Sequence, residues 1–187
     1  MPLPRPRPRK LIHTRDIRCT GYERDDGLWD IEGSLTDTKA YSFDNQDRGG
    51  VNAGEPIHHM TVRLTVDDTL VVQEAAVAID AGPFTLCGDI APNFARLAGL
   101  RIGPGWRKAV RAAVGGPAGC THVVELIMGQ MATTAFQSVR PARSRRERAA
   151  DAGTKPPMLD TCHALASDSP VVARQWPAFY TGGGGKA

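Results

Sequence analysis

The stretch GCTHVVEL, residues 119–126, places a thiol, an imidazole and a carboxylate close together as Cys120, His122 and Glu125. These groups can serve as nucleophile, general base and orienting acid, or as metal ligands. At about 100° per helical residue, His122 and Glu125 share one face, while Cys120 lies toward the other. We therefore expect His122 and Glu125 either to form an acid–base pair in a pocket wall or to lie in an exposed first turn.

The same stretch opens the longest apolar-periodic segment of the chain, which predicts a helix from a Thr121 cap to about Arg140. One side of this helix should face the core, and it carries Val124, Ile127, Met128, Met131, Ala135 and Val139. Cys120 is expected to point roughly the same way, as a small buried side chain or as a metal ligand.

A second source of chemistry is EPIHHM, in which His58 and His59 should point to opposite faces of a strand.

A metal site is the alternative to acid–base chemistry. Zinc or iron could bind a set built from Cys87, Cys120 and Cys162 with neighbouring histidines. A 2-His-1-carboxylate set of His58, His122 and Glu125 is also possible. No two cysteines have the short spacing typical of zinc sites.

The elements that must position these residues begin with strands. Residues 16–26 and 28–42 alternate around a turn at 25–27, and IHHMTVRLTVD and LVVQEAAVAID predict a second hairpin. In the second strand, one face carries Trp29, Ile31, Gly33, Leu35 and Asp37, and the other carries Leu28, Asp30, Glu32, Ser34 and Thr36. Strands followed by helices predict an α+β fold, with an antiparallel sheet of about four strands and then two or three helices packed on one face.

The domain organisation follows from the flanking composition. We expect a disordered Pro/Arg arm over residues 1–14, a single α+β domain over 15–180, and a disordered Gly-rich tail over 181–187. Within the last part of the domain, DTCHALA predicts a helical turn and PVVARQWPAFY an extended segment.

The overall composition excludes several classes of protein. The chain of 187 residues is 41% hydrophobic, 23% charged and carries a net charge of +3. Its basic runs, MPLPRPRPRK and Arg140 to Ala150, lack a nucleic-acid-binding motif, so we expect solvated segments and no nucleic-acid partner. There is no apolar run of about 18 residues and no secretory leader pattern. We expect a cytoplasmic protein with reduced thiols and no membrane partner.

Several segments together resemble the bacterial family DUF2889. They are DGLWDIEGSLTDTK, GEPIHHMTVRLTVD, the Cys87 segment with IAPNFARLAGL, IGPGW, GCTHVVEL and LDTCHA. The resemblance runs from about Ile17 to Tyr180. His59 and Val123 depart from the family pattern. Members look associated with bacteria that degrade aromatic compounds, and the resemblance implies a cofactor-independent lyase that releases formaldehyde from lignin-derived phenolic dimers.

That chemistry needs a base for a primary alcohol, an electron sink reached through the phenol, and a proton donor for a departing aryl ether oxygen. The resemblance therefore implies His122, Glu125 and His58 as catalytic residues. It implies a small aromatic substrate held by Tyr22, Trp29, Asp30, Arg101, Trp106 and Phe136, with core packing or a solvated face as the alternatives for individual residues. A homodimer, and a non-catalytic module that binds a small ligand, are further possibilities.

Overall fold

The computed structural model describes residues 3–150 and 153–182. The chain divides into two compact units, Met1–Arg143 and Ser144–Ala187. Residues 3–12 contain no helix or strand, and the first strand begins at His13, inside the range expected for the arm. Most of the predicted Gly-rich tail, residues 183–187, lies outside the described residues.

Four antiparallel strands form one sheet in the order β1-β2-β3-β4. Their bounds are β1 His13–Glu23, β2 Trp29–Lys39, β3 Pro56–Val66 and β4 Val72–Ala81. The turn between β1 and β2 closes because the Asp26 carboxylate accepts a hydrogen bond from the Leu28 amide (3.2 Å), while Gly27 adopts a φ of 83° that suits glycine. The predicted sheet, followed by helices, is confirmed, and the fold is α+β.

Strand β2 lies in the middle of the sheet and alternates as its sequence predicts. Trp29, Ile31 and Leu35 are buried against the helices, whereas Asp30 and Glu32 on the opposite face are partly exposed. The buried series ends in a charged residue, Asp37, whose exposed fraction is only 1%. A carboxylate at the last inward position needs compensating partners, because an unpaired buried charge costs several kcal/mol.

The helices of the first unit follow the sheet. A 3₁₀ helix covers Thr85–Leu97, α1 covers Trp106–Val114 and α2 covers Thr121–Leu126. A π-helical turn at Ile127–Met131 joins α2 to α3, which spans Ala132–Ala150. The predicted core stripe is confirmed, since its residues are all buried: Val124, Ile127, Met128, Met131, Ala135 and Val139.

The start of α2 differs from the sequence prediction. Cys120 occupies the N-cap position with extended backbone angles, and no side chain caps the helix there. Thr121 is the first helical residue, so the prediction that it caps the helix is wrong. The helix therefore begins one residue earlier than its cap chemistry suggested.

Gly33 lets this helix approach the sheet closely. A Cβ built at Gly33 would lie 2.7 Å from the sulfur of Met131 in the π-helical turn, which is closer than real contacts allow. The absence of a side chain at this inward position of β2 thus makes room for the π turn. The approach holds α2 above the sheet, near the strand ends that carry Asp37.

The second unit contains a 3₁₀ turn at His163–Leu165, α4 at Pro170–Gln175 and another 3₁₀ turn at Pro177–Phe179. The helical turn predicted for DTCHALA is confirmed, whereas the extended segment predicted for PVVARQWPAFY is wrong. Ser169 accepts a hydrogen bond from the Val172 amide (3.2 Å), and Pro170 stands at the first helical position, so these two residues start a helix. Among the described residues, no helix has the length and apolar character to cross a membrane.

Candidate active site

Three charged or titratable side chains form a row on the helix-covered face of the sheet. Arg15 of β1 lies opposite Asp37 of β2, and Asp37 lies opposite His58 of β3. Directly opposed residues of antiparallel strands point to the same face, so the register brings a guanidinium, a carboxylate and an imidazole side by side. We name these residues, together with His13 and His122, the Asp37 cluster.

Asp37 is the centre of the cluster. Its Oδ1 accepts a hydrogen bond from Arg15 Nε at 2.8 Å, and its Oδ2 accepts one from Arg15 Nη2 at 2.7 Å. His13 Nε2 lies 2.9 Å from Oδ1. Burial raises the pKa of Asp37, but the hydrogen bonds from Arg15 and His13 outweigh burial and hold the pKa well below its usual range. Asp37 is therefore a buried carboxylate that stays ionised.

His58 is oriented by this carboxylate. Its Nδ1 lies 3.0 Å from Asp37 Oδ2, so the imidazole donates its Nδ1 proton to Asp37 when it is neutral. This arrangement leaves the Nε2 lone pair free to accept a proton. Burial, followed by the neighbouring His122, lowers the pKa of His58 below the ordinary value. The His58 side chain is 17% exposed, so it is mostly buried but not closed off from solvent.

His122 comes from the first turn of α2 and lies against His58. The two ring centroids are 3.9 Å apart, and the ring planes are tilted by 36°. His122 Nε2 is 3.8 Å from Asp37 Oδ2, and its Nδ1 is 3.9 Å from the sulfur of Cys120. Burial, followed by the Arg15 charge, lowers the pKa of His122. The site therefore holds two stacked imidazoles beside one carboxylate.

Glu125 lies at the edge of the cluster and contacts a different residue from the one expected. Its Oε2 is 3.6 Å from Arg15 Nη1, and its side chain is 58% exposed. Among the described residues no hydrogen bond joins Glu125 to His122. The carboxylate that lies beside His122 is Asp37, whereas the direct contact of Glu125 is with Arg15.

The cluster also contains a set of possible metal ligands. One ligand atom each from Asp37, His58 and His122 lies within 4.8 Å of the other two. Within the described residues this is the only such set of three, and it contains no cysteine. The 2-His-1-carboxylate set predicted from sequence therefore occurs with Asp37 in the place of Glu125, while Cys87, Cys120 and Cys162 form no set.

The family model described as a protein of unknown function, DUF2889, matches residues 13–137 of the chain. The chain belongs to the DUF2889 family. The match begins at the first residue of β1 and includes every member of the Asp37 cluster. The segment LDTCHA, which contributed to the sequence resemblance, lies beyond its end. No curated protein and no solved structure matches the chain.

Two of the residues expected to bind substrate in this DUF2889 protein lie on the opposite face of the sheet. Asp30 alternates with the buried residues of β2, and Tyr22 is its direct partner on β1. Asp30 accepts hydrogen bonds from Arg24 and Thr65 instead of facing the histidines. Tyr22 is half exposed on that outer face.

The other predicted substrate-binding residues of the DUF2889 domain are distributed through the core and the surface. Trp29 is buried at the opposite end of β2, about 26 Å along the strand from Asp37. Trp106 is buried, and its indole N–H donates to the Ile127 carbonyl at 3.4 Å. Phe136 packs against the core, and Arg101 is an exposed residue near Thr69. The structure brings together His58 and His122 from the predicted set, and it adds Asp37, Arg15 and His13.

Proposed function

We propose that this DUF2889 protein is an enzyme in which Asp37 orients His58 as a general base. The observation that carries the proposal is the 3.0 Å contact between His58 Nδ1 and the Oδ2 of a carboxylate that is 1% exposed. An aspartate in this position fixes the imidazole tautomer and stabilises the imidazolium that forms when Nε2 takes a proton. The neighbouring His122 supplies a second titratable group, which can donate a proton to the substrate.

The two histidines can serve as a base and an acid because their contacts with Asp37 differ. His58 bonds directly to Asp37, whereas His122 stacks on His58 and lies 3.8 Å from the carboxylate. Two positive charges on stacked rings repel each other, so the two rings are not both protonated at once. When His122 holds a proton, His58 stays neutral and can act as the base. This pairing allows one proton to be removed from the substrate and one to be donated in the same site.

The reaction we propose is carbon–carbon cleavage of a phenolic dimer that carries a hydroxymethyl group. The substrate phenolate expels an aryl ether oxygen, which takes a proton from His122, and a quinone methide remains. His58 then removes the proton of the primary alcohol. The bond to the hydroxymethyl carbon breaks, its electron pair reduces the quinone methide to a phenolate, and formaldehyde leaves. Charge and atoms balance without an external oxidant.

Arg15 is the residue best placed to stabilise the phenolate. Its guanidinium bonds to Asp37 through Nε and Nη2, while Nη1 lies 3.6 Å from the exposed Glu125. The Arg15 side chain is 32% exposed, so part of it remains open to solvent. This role replaces the one expected of Arg101, which lies away from the histidines. Positively charged donors aimed at a developing oxyanion lower the barrier of such steps.

The test is formaldehyde release from a phenolic dimer with a free hydroxymethyl group, measured with the purified chain and its His58→Ala variant. General-base catalysis contributes about 10²–10⁴-fold, so the variant should lose activity by that factor. His59→Ala is the matched control, because His59 is adjacent in sequence but faces the other side of the sheet and bonds to Thr36 at 2.8 Å.

The control variant should retain wild-type turnover. Equal activity of wild type and His58→Ala would refute the base assignment. If the wild-type chain binds a phenolic dimer saturably and releases no formaldehyde from any dimer of a panel, it is a binding module and the proposed activity is wrong.

A further inference from the structure

We propose that Asp37, His58 and His122 also form a binding site for one divalent first-row transition-metal ion, with zinc as the probe. The residues come from β2, β3 and α2, which meet only in the folded domain. Two imidazoles and one carboxylate are ligands that such ions prefer. One ligand atom of each residue already lies within 4.8 Å of the others.

Two of the distances inside this set can be compared with those around a bound ion. Ligand atoms bound about 2.1 Å from one ion at angles of about 90–109° are separated by about 3.0–3.4 Å. His58 Nδ1 lies 3.0 Å from Asp37 Oδ2, and His122 Nε2 lies 3.8 Å from the same oxygen. To reach the upper end of that range, His122 Nε2 would have to move about 0.4 Å closer to Oδ2.

The neighbours of the three ligands hold them in position. Arg15 Nε and His13 bond to Asp37 Oδ1, and Arg15 Nη2 bonds to Oδ2, so the carboxylate is fixed with Oδ2 beside the histidines. His122 turns its Nδ1 toward Cys120, so that its Nε2 faces the carboxylate. Partners of this kind orient metal ligands and fix the histidine tautomer. The positive charge of Arg15 opposes a cation, and it therefore favours moderate over very tight affinity.

The ion would occupy the place of the hydrogen bond between His58 Nδ1 and Asp37 Oδ2. In that state the imidazole carries its proton on Nε2, so it binds metal but cannot act as a base. Three protein ligands leave further positions for water or another ligand. The inference does not depend on the proposed lyase activity, because binding requires only the three donor atoms.

The experiment titrates zinc into the chelator-treated full chain in competition with a chromogenic chelator. One equivalent should bind to the wild type, and His122→Ala should bind at least about tenfold more weakly, since it loses one of three ligands. His59→Ala is the control, because it removes an imidazole from the opposite face of the same strand, and its affinity should match the wild type.

Circular dichroism of each variant establishes that the sheet and helices are retained, and His58→Ala provides a second ligand deletion. Absence of saturable zinc binding by the wild type would overturn the proposal. Equal affinity of wild type, His58→Ala and His122→Ala would overturn it as well, and so would a loss of binding in Cys120→Ser alone. Zinc binding by a chain that releases no formaldehyde even before zinc is added would support the metal site while refuting the lyase, so the two proposals fail separately.

Discussion

Asp37 and His58 lie opposite each other on adjacent antiparallel strands, and the carboxylate Oδ2 is 3.0 Å from the imidazole Nδ1. The carboxylate is buried, while the imidazole keeps a small exposed surface. The contact therefore joins a buried carboxylate to an imidazole side chain that is partly open to solvent. Most consequences that we expect from this fold depend on that junction or on the helix that packs above it.

Asp37→Asn should lower turnover of the phenolic substrate by about 10²–10⁴-fold while the fold remains intact, because an amide keeps the shape but removes the charge that stabilises the imidazolium. Steady-state kinetics measure the loss, and nitrogen NMR of the histidines measures the tautomer of His58. Thr36→Ala is the control, since Thr36 bonds to His59 on the outer face. Unchanged turnover in Asp37→Asn would exclude a catalytic role for the carboxylate.

Arg15→Met should destabilise the domain by about 1–3 kcal/mol, because the buried Asp37 would lose two charge-assisted hydrogen bonds at 2.7 and 2.8 Å. Urea denaturation gives the change in the free energy of unfolding. Arg18→Met is the matched control: it removes the same charge from the exposed outer side of the same strand, and it should change stability by less than about 0.5 kcal/mol. Similar effects of both variants on the free energy of unfolding would mean that the hydrogen bonds from Arg15 to Asp37 do not stabilise the domain.

Gly21→Ala should destabilise the domain by about 1–3 kcal/mol through overpacking. A Cβ at Gly21 would lie 2.8 Å from the Cβ of Ser138 on α3, and closer still to its hydroxyl. Thermal unfolding measures the effect. The rescue variant Gly21→Ala/Ser138→Gly removes the opposing side chain, so it should be more stable than the sum of the two single changes predicts. Strict additivity would show that α3 and β1 are less closely packed than described.

Asp160→Asn should remove the acid sensitivity of a contact in the second unit. Hydrogen bonds from Lys155 and then from Ser167 lower the pKa of Asp160 from an ordinary value of 3.8 to about 2. Because the folded pKa is lowered, the stabilisation is complete above about pH 4 and is lost as the pH falls through 2. The protection factor of the Ser167 amide, which donates to Asp160 Oδ1 at 2.7 Å, reports the loss.

In the wild type this protection should fall between about pH 4 and 2, and in Asp160→Asn it should not change over this range, because the amide oxygen can still accept the bond but does not titrate. Asp168→Asn changes an exposed carboxylate nearby and serves as the control. A pH-independent protection factor in the wild type would contradict the assignment of the contact to the ionised Asp160.

Much of the scaffold could be predicted because its determinants are local. Alternation along β2 places Trp29, Ile31 and Leu35 on one face whatever the rest of the chain does, since the side-chain period of a strand is two. Helical periodicity in the same way predicted the buried stripe that includes Met128 and Met131. The opposite orientation of His58 and His59 also follows from the strand alone.

The candidate site was only partly predictable, because each of its contacts crosses between elements. Helical spacing placed His122 and Glu125 on one face, but it said nothing about which group would face them. In the folded domain Glu125 pairs with Arg15, and His122 meets Asp37 and His58. The sequence did place Asp37 in the inward-facing series of β2. A charged residue at an inward position indicates that other side chains must compensate its charge, but it does not indicate which ones.

The sequence by itself determined the four strands, the helix that carries His122, the inward position of Asp37 and the family to which the chain is similar. Only the tertiary structure decided that Arg15, Asp37 and His58 share one row and that α2 brings His122 onto it. The physical reason is that side-chain periodicity is a property of neighbouring residues, whereas strand register and helix docking are set by packing between segments far apart in the chain.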